Sequence, residues 1–251
     1  MAKFNFLLVT FLLIFQPIYP QQHHKYETIK ETKFDAVYFL LGTLSDYMGR
    51  FQYIDRKKQI DTYYAYEKPL VDYLIRYIKT ELNTTVDTLH IGSTIKMFSE
   101  ELSTKLNSFY GEKDKLLNDK FETEHQICSF LAGVYYRYGE KLDSPIYKIQ
   151  LANSPKHSNC YDFLKKLGCE NIFYQYLRNI PAQFKLYFEP TAVLKDYLES
   201  IEKENLTLKE AWFKQIASIS TSSSEKDLKE AMKTLKAQET EKIRNAFKRK
   251  Q

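Results

Sequence analysis

Glycine is scarce in this chain, with seven residues in 251, under half the usual share. Because glycine serves tight turns and bulges, its scarcity argues against a fold of many hairpins and for helices. Cysteine occurs only three times, an odd number that cannot pair completely within one chain. No C-x-x-C or paired-histidine spacing accompanies it, which excludes a zinc module. Charge is balanced rather than one-sided: 37 Lys and Arg against 32 Asp and Glu give +5. That mixture predicts no nucleic-acid partner, since such proteins concentrate basic residues on one face. No run reaches the ~20 apolar residues that cross a bilayer, so no membrane span is expected.

What the sequence does contain begins with an apolar block from Phe6 to Phe15, preceded by Lys3 and ended by Gln16-Pro17. A basic start, a short apolar core and a proline-broken polar continuation have the layout of a secretory signal peptide. The expectation is a leader over residues 1–20 and a secreted, extracellular protein. Asn83-Thr84-Thr85 and Asn205-Leu206-Thr207 fit the N-glycosylation pattern, so Asn83 and Asn205 are the expected acceptors. Cys160 and Cys169 flank a stretch that reads as helix and would hold them ~13 Å apart, beyond the ~7 Å reach of a disulfide. Cys128 is therefore expected to pair with one of them, leaving the third for a disulfide-linked dimer; three buried, reduced thiols are the alternative.

Apolar residues recurring at three and four predict helices. Phe34, Val37, Tyr38, Leu41, Leu44 and Met48 predict one helix to about Arg50. Pro69 stands at a first helical position before a second helix ending near Asn83. Thr84 with Asp87 resembles a helix start, and Leu89, Ile95, Phe98, Leu102 and Leu106 continue it to Gly111. Leu117, Phe121, Cys128, Leu131 and Tyr135 predict another, stopping at Gly139. Between Gly139 and Thr191, prolines at 145, 155 and 181 predict short helices and turns. Helices resume at Thr191, Thr207 and Glu225. The fold class expected is all-α: a bundle-like helical domain over residues 21–220, then a linker and a peripheral charged helix over 221–251. The segments "KPLVDYLIRYIKTELNTT" and "EPTAVLKDYLESIEKENLT" share Asp-Tyr-Leu, but their flanks do not align, and common helix starts and stops account for the likeness.

Chemistry-bearing patterns are few. Glu122-x-x-His125 and Asp87-x-x-His90 have di-iron spacing without the further inward carboxylates such sites use. His23-His24 near a new amino terminus would suit Cu(II) or Ni(II). His157 and Cys160 share a loop, but no G-x-S-x-G elbow is present. No catalytic residue, cofactor or metal is expected. Twenty tyrosines and seventeen phenylalanines suit protein contact surfaces. The leading expectation is a secreted, non-enzymatic helical glycoprotein that recognises an extracellular protein or cell surface. The alternatives are an extracellular carrier of an apolar small molecule such as a fatty acid, and a thiol or metal-dependent enzyme. Lys242, Arg244, Lys248, Arg249 and Lys250 form a basic tail suited to acidic surfaces.

Overall fold

A computed structural model describes residues 32–51, 57–112, 114–220 and 224–249. The expected leader over 1–20 and the His23-His24 pair lie outside them. The chain is not all-α. It begins with α1 (Ala36–Thr43), β1 (Gln59–Tyr64), α2 (Lys68–Leu82), β2 (Asp87–Ile91), β3 (Thr94–Phe98) and α3 (Glu100–Asn107). There follow α4 (Glu124–Tyr138), β4 (Gly139–Asp143), β5 (Ile146–Ala152), α5 (Lys156–Lys166), β6 (Ile172–Leu177), β7 (Gln183–Phe188) and α6 (Ala192–Ser200). Two further helices, α7 (Glu202–Ile219) and α8 (Glu225–Lys248), complete the described chain.

Strand formation follows from patterning that a helical reading overlooks. "IYKIQLA" and "IFYQYL" are rich in β-branched and aromatic residues, which favour strands; the second alternates in burial, as a strand with one face on a core does, and the first is buried over most of its length. The residues read as one helix from Leu89 to Leu106 instead form a hairpin and then α3, and Asp87 opens β2 rather than capping a helix. Glycine scarcity misleads because these hairpins need little of it. The β2–β3 turn uses Gly92, at φ +56°, while Ser144-Pro145 turns β4 into β5. Tyr63 and Tyr64, adjacent on β1, point to opposite faces: Tyr63 is buried and Tyr64 exposed.

The strands form two antiparallel sheets, ordered β1-β3-β2 and β4-β5-β7-β6. The sequence helix, strand, helix, hairpin, helix occurs twice. In the first half it is α1, β1, α2, β2–β3, α3; in the second, α4, β5, α5, β6–β7, α6, with the additional strand β4 inserted between α4 and β5. Strand order agrees between them, β1-β3-β2 matching β5-β7-β6. The repeat therefore sets α2 against α5, so the two Asp-Tyr-Leu segments, on α2 and α6, are not equivalent.

α4 is the axis of the core, buried without a break from Ile127 to Arg137. Its start is a capping box: Thr123 Oγ accepts from Gln126 N, and Gln126 Oε1 accepts from Thr123 N. α8 lies against the face of the second sheet opposite α4. There Ile243 and Phe247 join Leu142, Ile146 and Tyr187 in a small separate apolar cluster.

Candidate functional site

α1 and α4 meet through glycine. A methyl group on Gly42 would come within 2.1 Å of the Phe130 carbonyl oxygen, and one on Gly133 within 2.0 Å of the Phe39 carbonyl oxygen. Each phenylalanine precedes its own glycine by three, so the contact is reciprocal, as at a two-fold axis. Phe39-Leu40-Leu41-Gly42 and Phe130-Leu131-Ala132-Gly133 are the sequence trace of this symmetry. It was available to sequence reasoning and was missed.

The crossing brings the C-terminal ends of both helices beside a buried ionic cluster. Arg137, in the last turn of α4, uses all five of its N–H groups. Nε and Nη2 donate to the two oxygens of Glu67 at 2.7 and 2.9 Å, the bidentate geometry that suits a guanidinium. Nη1 donates to Asp61 Oδ2 and to the Thr43 carbonyl at the end of α1, both at 2.7 Å, and Nη2 donates to the Thr62 carbonyl at 3.1 Å. The ring of Tyr63 lies 4.6 Å from its carbon centre. Burial opposes the charge, but Glu67, Tyr138 and Asp61 outweigh it and hold the Arg137 pKa above its ordinary value.

A second cation comes from α5. Lys156 Nζ donates to the carbonyls of Leu41 at 3.0 Å, Gly42 at 3.2 Å and Leu44, satisfying the free carbonyls at the end of α1. Asp46 Oδ2 lies 3.2 Å from it and accepts from Tyr110 Oη at 2.6 Å. Burial lowers the Lys156 pKa, against the opposing pull of Asp46. Arg50, also buried, donates to the Ile60 carbonyl and to Asn107 Oδ1. Asp46, Asp61 and Glu67 thus balance Arg50, Arg137 and Lys156. Each carboxylate is engaged by a cation or a protein donor, and no group of three metal-ligating side chains occurs among the described residues. The cluster locks the two helix ends to each other and to β1.

The sheets' outer faces, away from α1 and α4, differ between the halves. On the first sheet Thr62, Tyr64, Thr94 and Lys96 share this face with Leu89 and Ile91, and Tyr64, Leu89 and Ile91 are exposed. On the second, Glu140, Lys148, Tyr187 and Phe173 form one cross-strand row and Gln150, Lys185 and Gln175 the next. α8 sits over them. Glu239 accepts from Lys185 Nζ at 2.7 Å, Tyr187 Oη at 2.6 Å and Lys148 Nζ at 2.9 Å. Burial alone would raise its carboxyl pKa, but these partners bring it down to about 2.

The residues singled out in the sequence do not converge. Asn83 is exposed at the end of α2. Asn205 is buried on α7, and its Nδ2 donates to the carbonyls of Tyr135, Tyr136 and Gly139 at 2.9, 3.0 and 3.1 Å. It closes the end of α4, and a glycan there is incompatible with that packing. Cys128, Cys160 and Cys169 are all free and buried, correcting the expected disulfide and the disulfide-linked dimer. Burial pushes the Cys128 and Cys160 thiols up to about 12 and raises Cys169 as well. His157 stacks on Phe184 at 3.8 Å, and its Nδ1 meets Tyr174 Oη at 3.2 Å rather than a thiol. His125 Nδ1 meets Tyr197 Oη at 2.6 Å. In the basic tail Lys242, Lys248 and Arg249 are exposed, Arg244 pairs with Glu241 and Asp143, and Lys250 lies outside the described residues. The surface depression at Phe51, Lys57, Glu100, Thr104 and Asn107 is open and partly polar, unlike the closed apolar cavity of a fatty-acid carrier. No helix among the described residues is long and apolar enough to cross a membrane.

No protein-family model and no curated protein matches the sequence. Among solved structures, the homing endonuclease I-DmoI in complex with DNA and Mn is 14% identical, over 66% of this chain and 94% of that one, with a TM-score of 0.45. Full-length DUF199/WhiA from Thermatoga maritima is 16% identical, over 87% and 72% of the two chains, at 0.42. The N-terminal LAGLIDADG domain of DUF199/WhiA is 18% identical, over 71% and 84%, also at 0.42. The mixed fold, the free, buried thiols and the buried Asn205 correct the expected secreted, disulfide-bonded helical glycoprotein, and with it the expectations of an extracellular location, a non-enzymatic role and no nucleic-acid partner are set aside.

Proposed function

We propose that the protein binds a nucleic-acid duplex across the outer faces of its two antiparallel sheets. The observation that carries this reading is the chemistry of those faces. Strand alternation sends apolar residues of the second sheet, among them Ile149, Leu186 and Phe188, into the core, and sends Lys148, Gln150, Gln175, Gln183 and Lys185 to the opposite face, where α8 covers Lys148 and Lys185. Long side chains carrying both donors and acceptors are what base edges and phosphates require: glutamine pairs with adenine, and lysine with guanine or phosphate. Antiparallel strands fit the major groove, and a two-fold repeat of sheets answers the two-fold symmetry of a duplex. Thr62, Tyr64 and Lys96 are the corresponding polar and aromatic positions on the first sheet.

Fluorescence anisotropy with a labelled duplex, titrated at several salt concentrations, tests the reading. Binding is expected to weaken linearly in log–log form with salt, and Lys96→Ala to lower that slope by about 1. Denaturing gels of the same samples, with magnesium or manganese added, read strand cleavage. A protein that leaves the duplex free at low salt overturns the proposal.

A further inference from the structure

One outer face is open and its counterpart is covered. Among the described residues no helix covers Tyr64, Leu89 and Ile91, which stay exposed on the first sheet with only the Tyr66 ring stacked on Tyr64, whereas α8 crosses the corresponding side of the second. The covering helix is held by a narrow seam. Of its 24 residues only Thr240, Ile243 and Phe247 are buried, in contrast with the unbroken buried run of α4. Its polar hold centres on Glu239, a carboxylate that takes three donors, from Lys148, Lys185 and Tyr187. Two ammonium groups and a hydroxyl converging on one pair of acidic oxygens form a seat for an anion. A phosphodiester presents the same kind of acceptor, a pair of oxygens sharing a negative charge.

We infer that the Lys148–Lys185–Tyr187 seat is a phosphate-binding site for the duplex, and that α8 is its internal competitor, with Glu239 occupying the place a phosphate takes when nucleic acid binds. The inference rests on the proposed duplex binding and adds both the contact and its regulation. A competitor on the same chain acts at a fixed effective concentration, so the protein's apparent affinity falls by the fraction of molecules whose seat is free. Among the described residues the first sheet carries no such brake, and it makes the initial contact. Lys236, which α8 brings 3.1 Å from Glu140, and Arg244, which pairs with Asp143, depart with the helix. Lys148 keeps Glu140 as a partner, 2.7 Å away, which holds it in place.

The test compares full-length variants in the anisotropy assay. If α8 occupies the seat about nine-tenths of the time, Glu239→Gln binds about tenfold more tightly than the wild type. Glu230→Gln removes the same charge from an exposed position of the same helix and is expected to change affinity less than twofold, which separates competition from general electrostatics. Adding Lys185→Ala to Glu239→Gln is expected to abolish the gain. Limited proteolysis supplies a second readout: duplex should increase cleavage within residues 225–248. Equal affinities for the wild type and Glu239→Gln, or α8 cleavage unaffected by duplex, overturn the inference while leaving duplex binding intact. Absence of binding by the wild type and by every variant overturns the proposed function, and this inference with it.

Discussion

Gly133 and Phe39 stand in backbone contact at the crossing of α4 and α1, with the Phe39 carbonyl oxygen occupying the space a side chain on residue 133 would need. Gly133→Ala sets two effects against each other. Helix propensity favours alanine by up to ~1 kcal/mol, while overpacking a close backbone contact costs ~1–3 kcal/mol or more. Sterics are expected to win, because the obstructing atom is backbone and cannot rotate away. Urea denaturation should show a net loss of about 2 kcal/mol or more; a variant as stable as the wild type contradicts the crossing.

Arg137 is expected to tolerate no substitution. Lysine keeps the charge but supplies a single ammonium, which cannot reproduce five donors in a planar fork. Removing one partner of a buried ionic cluster costs ~3–5 kcal/mol because the remaining charges are stranded. Arg137→Met should fall in this range, and adding Glu67→Gln should restore part of the loss. Strictly additive effects in the double-mutant cycle would show that the two residues do not act as a pair.

The three cysteines are expected to be silent in the native protein. Thiolate is the reactive form, and burial holds all three thiols above the ordinary range. A thiol-reactive dye should label almost nothing under native conditions and three thiols after unfolding. Any disulfide found by intact mass without reductant contradicts the structure.

Docking of α8 should depend on acid. The folded-state pKa of Glu239, about 2, lies below the ~4.3 of a free glutamate. Its contribution is therefore complete above the unfolded value and is lost as pH falls toward the folded one. The stability difference between the wild type and Glu239→Gln should be constant near neutrality and should shrink between about pH 5 and pH 2. A gap independent of pH over that window excludes the three-donor seat.

Much of the helical framework is legible in the sequence, and for local reasons. Pro69 marks the first turn of α2, Gly139 follows the last residue of α4, and the expected starts of α6 and α8 lie within a residue of those observed. The sheets are not legible by the same means. Leu89, Ile95 and Phe98 mimic a helical stripe although they belong to two strands of one hairpin, because a tight turn resets the phase of the pattern. Prolines at 145, 155 and 181 suggest broken helices, yet Pro145 sits in a hairpin turn and Pro155 immediately precedes α5. The ionic cluster is harder still. Asp46, Asp61, Glu67, Arg137 and Lys156 come from four separate stretches, and each alone reads as an ordinary surface charge. Asn205 shows the same limit, since its tripeptide reads as a glycan acceptor and only packing against α4 makes it an internal clamp.

Carrying both repeats on one chain changes what a substitution does. In a pair of identical subunits every replacement is made twice, and a helix added to one sheet is added to both. Here Gly42 can change without Gly133, and among the described residues only the second sheet has a fourth strand and a helical cover. The halves are free to specialise, one as an uncovered reader and the other as a gated one. A target that such a molecule prefers is expected to lack palindromic symmetry, since the two faces offered to it are unlike.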